Sequence, residues 1–137
     1  MRFIILVKAT AASEAGEMQE PSVMAAMAAY HEQLAQAGVL LDATGLQPSS
    51  KGWRVRYSGG KRMVVDGPFA QTSELIAGYT LIEVRSREEA MEWARRFPAP
   101  FGERADGEIE VRQLFELDDL EPGAELERLR NLEASRR

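Results

Sequence analysis

The sequence predicts an α+β domain of the ferredoxin-like βαββαβ kind, with an inserted β-hairpin and an extra C-terminal helix. Three observations carry that expectation. Two segments with apolar residues at helical spacing stand among four main segments of strand character. A further pair of short strands flanks a glycine-rich turn. Two of the strand segments are apolar on both alternating faces, and two helices can cover only one of those faces.

Phe3-Ile4-Ile5-Leu6-Val7 is the first of these two-faced strands, followed by a small, polar stretch from Ala9 to Gln19 that reads as a loop. Pro21 suits the first turn of a helix over Glu20 to Gln36. Val23, Met27, Tyr30, Leu34 and Ala37 form its apolar stripe, and Gly38 stops it. Val39-Leu40-Leu41 begins a short extended segment that ends near Gly45. Trp53 to Tyr57 alternates apolar and charged residues, turns at Ser58-Gly59-Gly60-Lys61, and returns through Met63-Val64-Val65. The face carrying Arg54 and Arg56 is expected to meet solvent or an anion. Ile76 to Val84, with Gly78 inside it, is the second two-faced strand. Ser86 to Glu89 has the spacing of a capping box, opening a helix whose stripe is Ala90, Trp93, Ala94 and Phe97. Pro98 and Pro100 end it, and Ile109 to Phe115 is the last strand. Pro122 to Arg136 predicts a polar helix with a narrow stripe of Leu126, Leu129 and Leu132. Residues 1–120 thus read as the domain and 121–137 as a helical extension.

The second face of the sheet needs a cover, since each large apolar side chain left wet forfeits about 1.5–3 kcal/mol. A second copy of the same sheet supplies one, and a symmetric homodimer follows as an expectation.

Composition excludes several classes of function. The chain has 137 residues, of which 45% are hydrophobic and 28% charged, enough for one core and too mixed for disorder throughout. A net charge of −5 disfavours nucleic acid and anionic membranes as partners. The longest apolar run, Phe3 to Val7, is far too short to span a bilayer. No cysteine is present, which removes thiol catalysis, disulfides and thiolate metal sites and fits a cytoplasmic location. A single histidine gives no HxH, HxxxH or HExxH spacing, so neither a metal site nor a cofactor is expected.

Asp66-Gly67-Pro68-Phe69, with the stretch from Val64 to Tyr79 around it, resembles the DGPF (YCII-related) family. Ala37 to Leu41, Gly45-Leu46-Gln47-Pro48 and Gly107 to Arg112 are similar to it as well, so the resemblance covers roughly residues 1–120. It implies a dimeric α+β barrel. Most members have no established activity, and some are encoded near genes for alternative sigma factors. Related YCII proteins carry a His–Asp pair, and some catalyse elimination-type reactions on small ring-derived acids. In this sequence the place of that His is Met27 and the place of that Asp is Phe97, so the pair is absent as such.

His31, one turn beyond Met27, is the only imidazole and the natural proton carrier near neutral pH. Its plainer role is a half-exposed helix residue bonded to a neighbour. Asp66 could act as a base at a strand end, or simply accept hydrogen bonds from the amides of its own turn. Phe69 reads as a plug in the core or the dimer seam, or as a platform for a ligand. Lys8 and Arg112 lie in or beside two-faced strands, where a cation needs a partner: Glu83, Glu110 or a bound small carboxylic acid. Tyr79 offers a hydroxyl at the sheet face. Two functions fit these residues. One is an enzyme performing cofactor-free acid–base chemistry, of the lyase or isomerase type, on a small organic acid. His31 or Asp66 would move the proton, and Arg112 or Lys8 would hold the carboxylate. The other is a non-catalytic ligand-binding or regulatory dimer in which Asp66 to Phe69 is a structural turn.

Overall fold

A computed structural model of the chain describes residues 1–136. Strand β1 (Arg2–Lys8) is followed by a short helix α1 (Ala11–Glu14), where the sequence suggested only a loop. Thr10 explains the helix: its side chain accepts from the Ser13 amide at 3.1 Å, and the Ser13 hydroxyl accepts from the Thr10 amide at 2.9 Å. Helix α2 (Pro21–Gln36) starts on its proline and ends before Gly38, which adopts φ 75°. Strand β2 (Leu40–Gly45) leads to the hairpin β3 (Trp53–Ser58) and β4 (Lys61–Asp66). Strand β5 (Ile76–Glu83), helix α3 (Arg87–Arg95), strand β6 (Ile109–Gln113) and helix α4 (Ala124–Ser135) complete the chain.

The four main strands form one antiparallel sheet in the order β2-β5-β1-β6, and β3-β4 form a separate ribbon. With the ribbon set aside, this is the βαββαβ arrangement of a ferredoxin-like fold. The cap of α3 departs from the expected box in one detail. Ser86 accepts from the Glu89 amide at 3.1 Å, but the Glu89 carboxylate reaches the amide of Arg85, one residue earlier.

Register separates the two sheet faces. Phe3, Ile5, Thr80, Ile82 and Val111 share one face, because Phe3 pairs with Ile82 and Ile5 pairs with both Thr80 and Val111. That face is sealed by α2 and α3: Ile5, Leu34 and Ile82 are fully buried beside Tyr30, Val39, Val84 and Ala90. Of the α2 stripe, Val23, Tyr30 and Leu34 are buried, Met27 is half-buried and Ala37 is exposed at the C-cap.

The other face carries Arg2, Ile4, Leu6, Leu81, Glu110 and Arg112. Ile4, Leu6 and Leu81 are only half-buried there. The tail turns back toward one corner of this face. Arg2 donates from Nε and Nη2 to Glu116 at 3.2 and 3.1 Å, and its charge is stabilised further by Glu133 of α4. Leu126 is the one α4 leucine that is buried, while Leu129 and Leu132 remain exposed.

The core assignment predicts unequal costs for two leucines. Leu34→Ala, in a fully buried position, lowers unfolding free energy by about 2–5 kcal/mol in urea titration. Leu132→Ala, on the outer side of α4, changes it by about 0.5 kcal/mol or less.

Candidate functional site

His31 stands in the last third of α2, where the helix crosses β5 on the sealed side of the sheet. Its Nδ1 lies 2.7 Å from the Met27 carbonyl oxygen and its Nε2 lies 2.8 Å from the Thr80 hydroxyl. A carbonyl oxygen can only accept, so Nδ1 carries the hydrogen in the neutral ring. Nε2 then holds the lone pair and accepts from Thr80. Thr80 is 2% exposed, in the middle of an apolar sheet face, and a hydroxyl there requires a partner. Tyr30 and Phe97 meet the imidazole edge-on, with ring centroids at 5.4 and 6.2 Å. The Tyr30 hydroxyl donates to the Trp93 carbonyl at 2.6 Å and ties α2 to α3. Burial pushes the Tyr30 phenol up to about 12.

Beside this imidazole is a half-open cavity of about 730 Å³ between α2 and the β2–β5 edge of the sheet. Its wall is mainly apolar, with His31 and Thr80 its polar side chains on the helix side; Asp42 and Tyr79 border it on β2 and β5, but pair with Leu81 and Leu6 and so project to the open face. The Tyr79 hydroxyl donates to Asp42 Oδ2 at 2.8 Å, and this bond raises the phenol above its ordinary value. Met27 and Phe97 line the same cavity. These are the two positions where the resemblance places the family's His and Asp.

The other expected residues lie elsewhere. Lys8 and Arg112 project on the opposite face, where Nζ of Lys8 is 3.9 Å and Nη1 of Arg112 is 3.3 Å from the Glu110 carboxylate. A carboxylate of the chain itself occupies the role expected of a bound acid. Asp66 is exposed at the end of β4, and neither it nor Phe69 borders the His31 cavity. Of the named residues, only His31 presents its side chain to this cavity: Tyr79 borders it on β5 but pairs with Leu6, so its ring projects to the open face.

The Asp66–Phe69 segment has a structural explanation. A Cβ on Gly67 would lie 1.9 Å from the Ser49 carbonyl oxygen, so only glycine fits there. The Gly67 amide donates to the Gly52 carbonyl and the Phe69 amide to the Ser49 hydroxyl, both at 3.0 Å. Ser49 is held in turn by Glu14, whose carboxylate accepts from the Ser49 amide at 2.9 Å and from its hydroxyl. The Arg54 guanidinium stacks on the Phe69 ring at 3.8 Å. The motif thus fastens the root of the hairpin to α1. Sequence reading did not anticipate the Glu14–Ser49 link, because neither residue lies near the other or near the motif along the chain. Thr80 was legible only as a strand residue, and nothing in its neighbours marked it as the histidine's partner.

A model of the YCII-related domain matches residues 1–118. The chain belongs to the YCII-related family. It is also similar to an uncharacterized protein of Rhizobium meliloti (strain 1021), with 33% identity over 96 residues, covering 70% of this chain and 76% of that protein. Among the described residues of this YCII-related protein, no group of His, Cys, Asp and Glu is arranged to hold a metal ion, and no helix is long and apolar enough to cross a membrane.

Two outcomes test the core side of the site. His31→Leu leaves the Thr80 hydroxyl buried without its partner and costs about 1–3 kcal/mol in chemical denaturation, and adding Thr80→Val recovers part of that loss. The Tyr30 phenol is raised in the folded state, so its contribution to stability is complete below its unfolded value near 10. That contribution is lost as pH climbs through about 12. Thermal melts of Tyr30→Phe should lack this component of the alkaline decline.

Proposed function

We propose that this YCII-related domain performs cofactor-free acid–base chemistry on a small organic acid, with His31 carrying the proton. The observation that carries this reading is the double anchorage of the imidazole. Because Nδ1–H is spent on the Met27 carbonyl, the basic lone pair sits on Nε2, beside the cavity. The Thr80 hydroxyl is both donor and acceptor. It donates to Nε2 while the ring is neutral and turns to accept once Nε2 is protonated. The Nε2–Thr80 contact can therefore persist as a hydrogen bond in both protonation states of the ring. A proton taken from the carbon beside a substrate carboxyl would reach Nε2 through the Thr80 hydroxyl, whose oxygen takes it up as its own hydrogen passes to the ring. Its return to a different carbon gives isomerisation, and loss of a leaving group instead gives elimination. A cavity of this size suits a compact ring or a short-chain acid.

A second reading, a non-catalytic binding pocket, is favoured by one feature. Among the described residues no lysine or arginine lines the cavity, so none of them neutralises a carboxylate there. Under either reading the half-buried Ile4, Leu6 and Leu81 support a homodimer joined through the open sheet face, since covering apolar surface contributes about 25 cal/mol per Å². We place the protein in the cytoplasm, where a chain without cysteine is at no disadvantage.

The two readings separate in heavy water. Wild-type protein is incubated with a panel of small carboxylic acids, and deuterium uptake at the carbon next to the carboxyl is followed by proton NMR. The acid–base reading expects uptake that falls by about 10²-fold or more in His31→Gln. Acids that bind without any uptake leave the pocket as a binding site only.

A further inference from the structure

The hairpin is anomalous in a domain this size. Its strands contact each other, and no other strand or helix packs broadly against them. A lone two-stranded ribbon is marginal in water and gains lasting order from a surface to lie on. One face presents Trp53, Val55, Tyr57 and Val64, as fixed by the pairs Val55–Val64 and Tyr57–Arg62. Trp53 is 65% exposed and Tyr57 69%, a concentration of aromatic surface of the kind that anchors interfaces. The basic face meets solvent at Arg56, as the sequence suggested, but Arg54 is half-buried over Phe69. The hairpin strands carry four cations and one carboxylate in a chain of net charge −5, so the rest of the molecule is the more acidic part.

A surface with the complementary character exists on the same chain. A groove of about 760 Å³ runs past α1 and the start of α2. It exposes Met18, Met24 and Leu46, with Met18 at 85%, and is edged by Glu17, Glu20 and Asp106. No lysine or arginine borders it, and none of those three carboxylates has a side-chain hydrogen bond or ion pair among the described residues. Methionines give a surface that adapts to an aromatic partner. The groove adjoins the His31 cavity, with which it shares Gln19, Gly45 and Ala77.

We infer that the β3–β4 hairpin is a docking arm that lays its Trp53–Tyr57 face in the Met18–Met24 groove of a second copy of the chain, with Arg62, on that face beside Tyr57, and Lys61, at the turn, meeting that copy's acidic edge. The occupant is a second copy because apolar area and opposite charge coincide on two patches of one chain, which a two-fold pairing would join twice. The arm would wall the His31 cavity of the other copy and bring cations beside a cavity that has none. The inference rests on the homodimer proposed above and adds to it an exchanged contact distinct from the open sheet face.

Sedimentation velocity across a concentration series tests it, using the full chain with folding checked by circular dichroism. Two variants reverse charge on one side each: Lys61→Glu with Arg62→Glu on the arm, and Glu17→Lys with Asp106→Lys on the groove. Each is expected to weaken self-association by about tenfold or more, and an equimolar mixture of the two should restore a heterodimer. Trp53→Ser with Tyr57→Ser, at exposed positions, should weaken association without altering the reversed charges. If wild type dimerises and folded arm and groove variants match its affinity, or the mixture recovers nothing, the arm inference is overturned while a sheet-face dimer stands. A wild-type chain that stays monomeric at its highest soluble concentration overturns both.

Discussion

A hydroxyl in the centre of an apolar sheet face governs how this domain is assembled. Thr80 lies on β5 between Ile5 of the neighbouring strand and the underside of α2, where water has no access. Left alone, the group would cost more than the small net gain that an ordinary hydrogen bond contributes. His31 removes that cost, and in doing so it fixes the rotation of α2 about its own axis. With that rotation set, Leu34 and Tyr30 face the sheet and Met27 borders the cavity. The polar contact and the buried apolar stripe therefore agree on one orientation of α2, with Tyr30 and Leu34 in the core and Met27 at the cavity. Among the described residues no buried side-chain polar atom lacks a partner, so the Thr80 and Tyr30 hydroxyls are both paired within this core.

The sheet divides the chemistry of the chain into two sides. The helix side holds the imidazole and the aromatic edges of Tyr30 and Phe97. The open side holds the charged pairs Arg2–Glu116, Lys8–Glu110 and Arg112–Glu110 at the margins of Ile4 and Leu6. Glu116 is held below the usual carboxylate range by its bond to Arg2. That bond contributes above the ordinary carboxylate pKa and is lost as pH falls through the lowered value. Both partners are substantially solvated, so the bond serves more to orient the tail at one corner of the open face than to stabilise the fold. A histidine and a cation placed on opposite sides of one sheet layer cannot meet across a single chain's cavity.

Periodicity reveals elements well and spatial coincidence poorly, and the particular residues show why. The strands and the three longer helices follow from repeats of two and of three to four, together with Pro21, Gly38 and Ser86 at their ends. The short helix α1 is not apolar enough to announce itself, and its only signal is the Thr10–Ser13 pair. Lys8 and Arg112 were legible as cations needing partners, and Glu110 was among the candidates named for them. Which face they occupy depends on the pairing of β1 with β6, and a single sequence does not state that register. His31 was legible as a residue and as a flank of the apolar stripe. Its partner Thr80 stands 49 residues away, and long-range pairing of this kind leaves no local pattern.

The most recognisable run in the sequence, Asp66 to Phe69, is explained by construction rather than by chemistry. Its glycine is required by the Ser49 carbonyl, its phenylalanine amide by the Ser49 hydroxyl, and its phenylalanine ring by the Arg54 guanidinium. Ser49 is gripped by Glu14, so the segment couples the root of an otherwise unsupported hairpin to α1, which borders the Met18–Met24 groove. A hairpin held firmly at its base and bare along its length behaves as a lever whose direction is set by that base. Reproducible aim matters only if the far end has something to reach. An aromatic and basic ribbon therefore makes more physical sense beside a second molecule than alone in water.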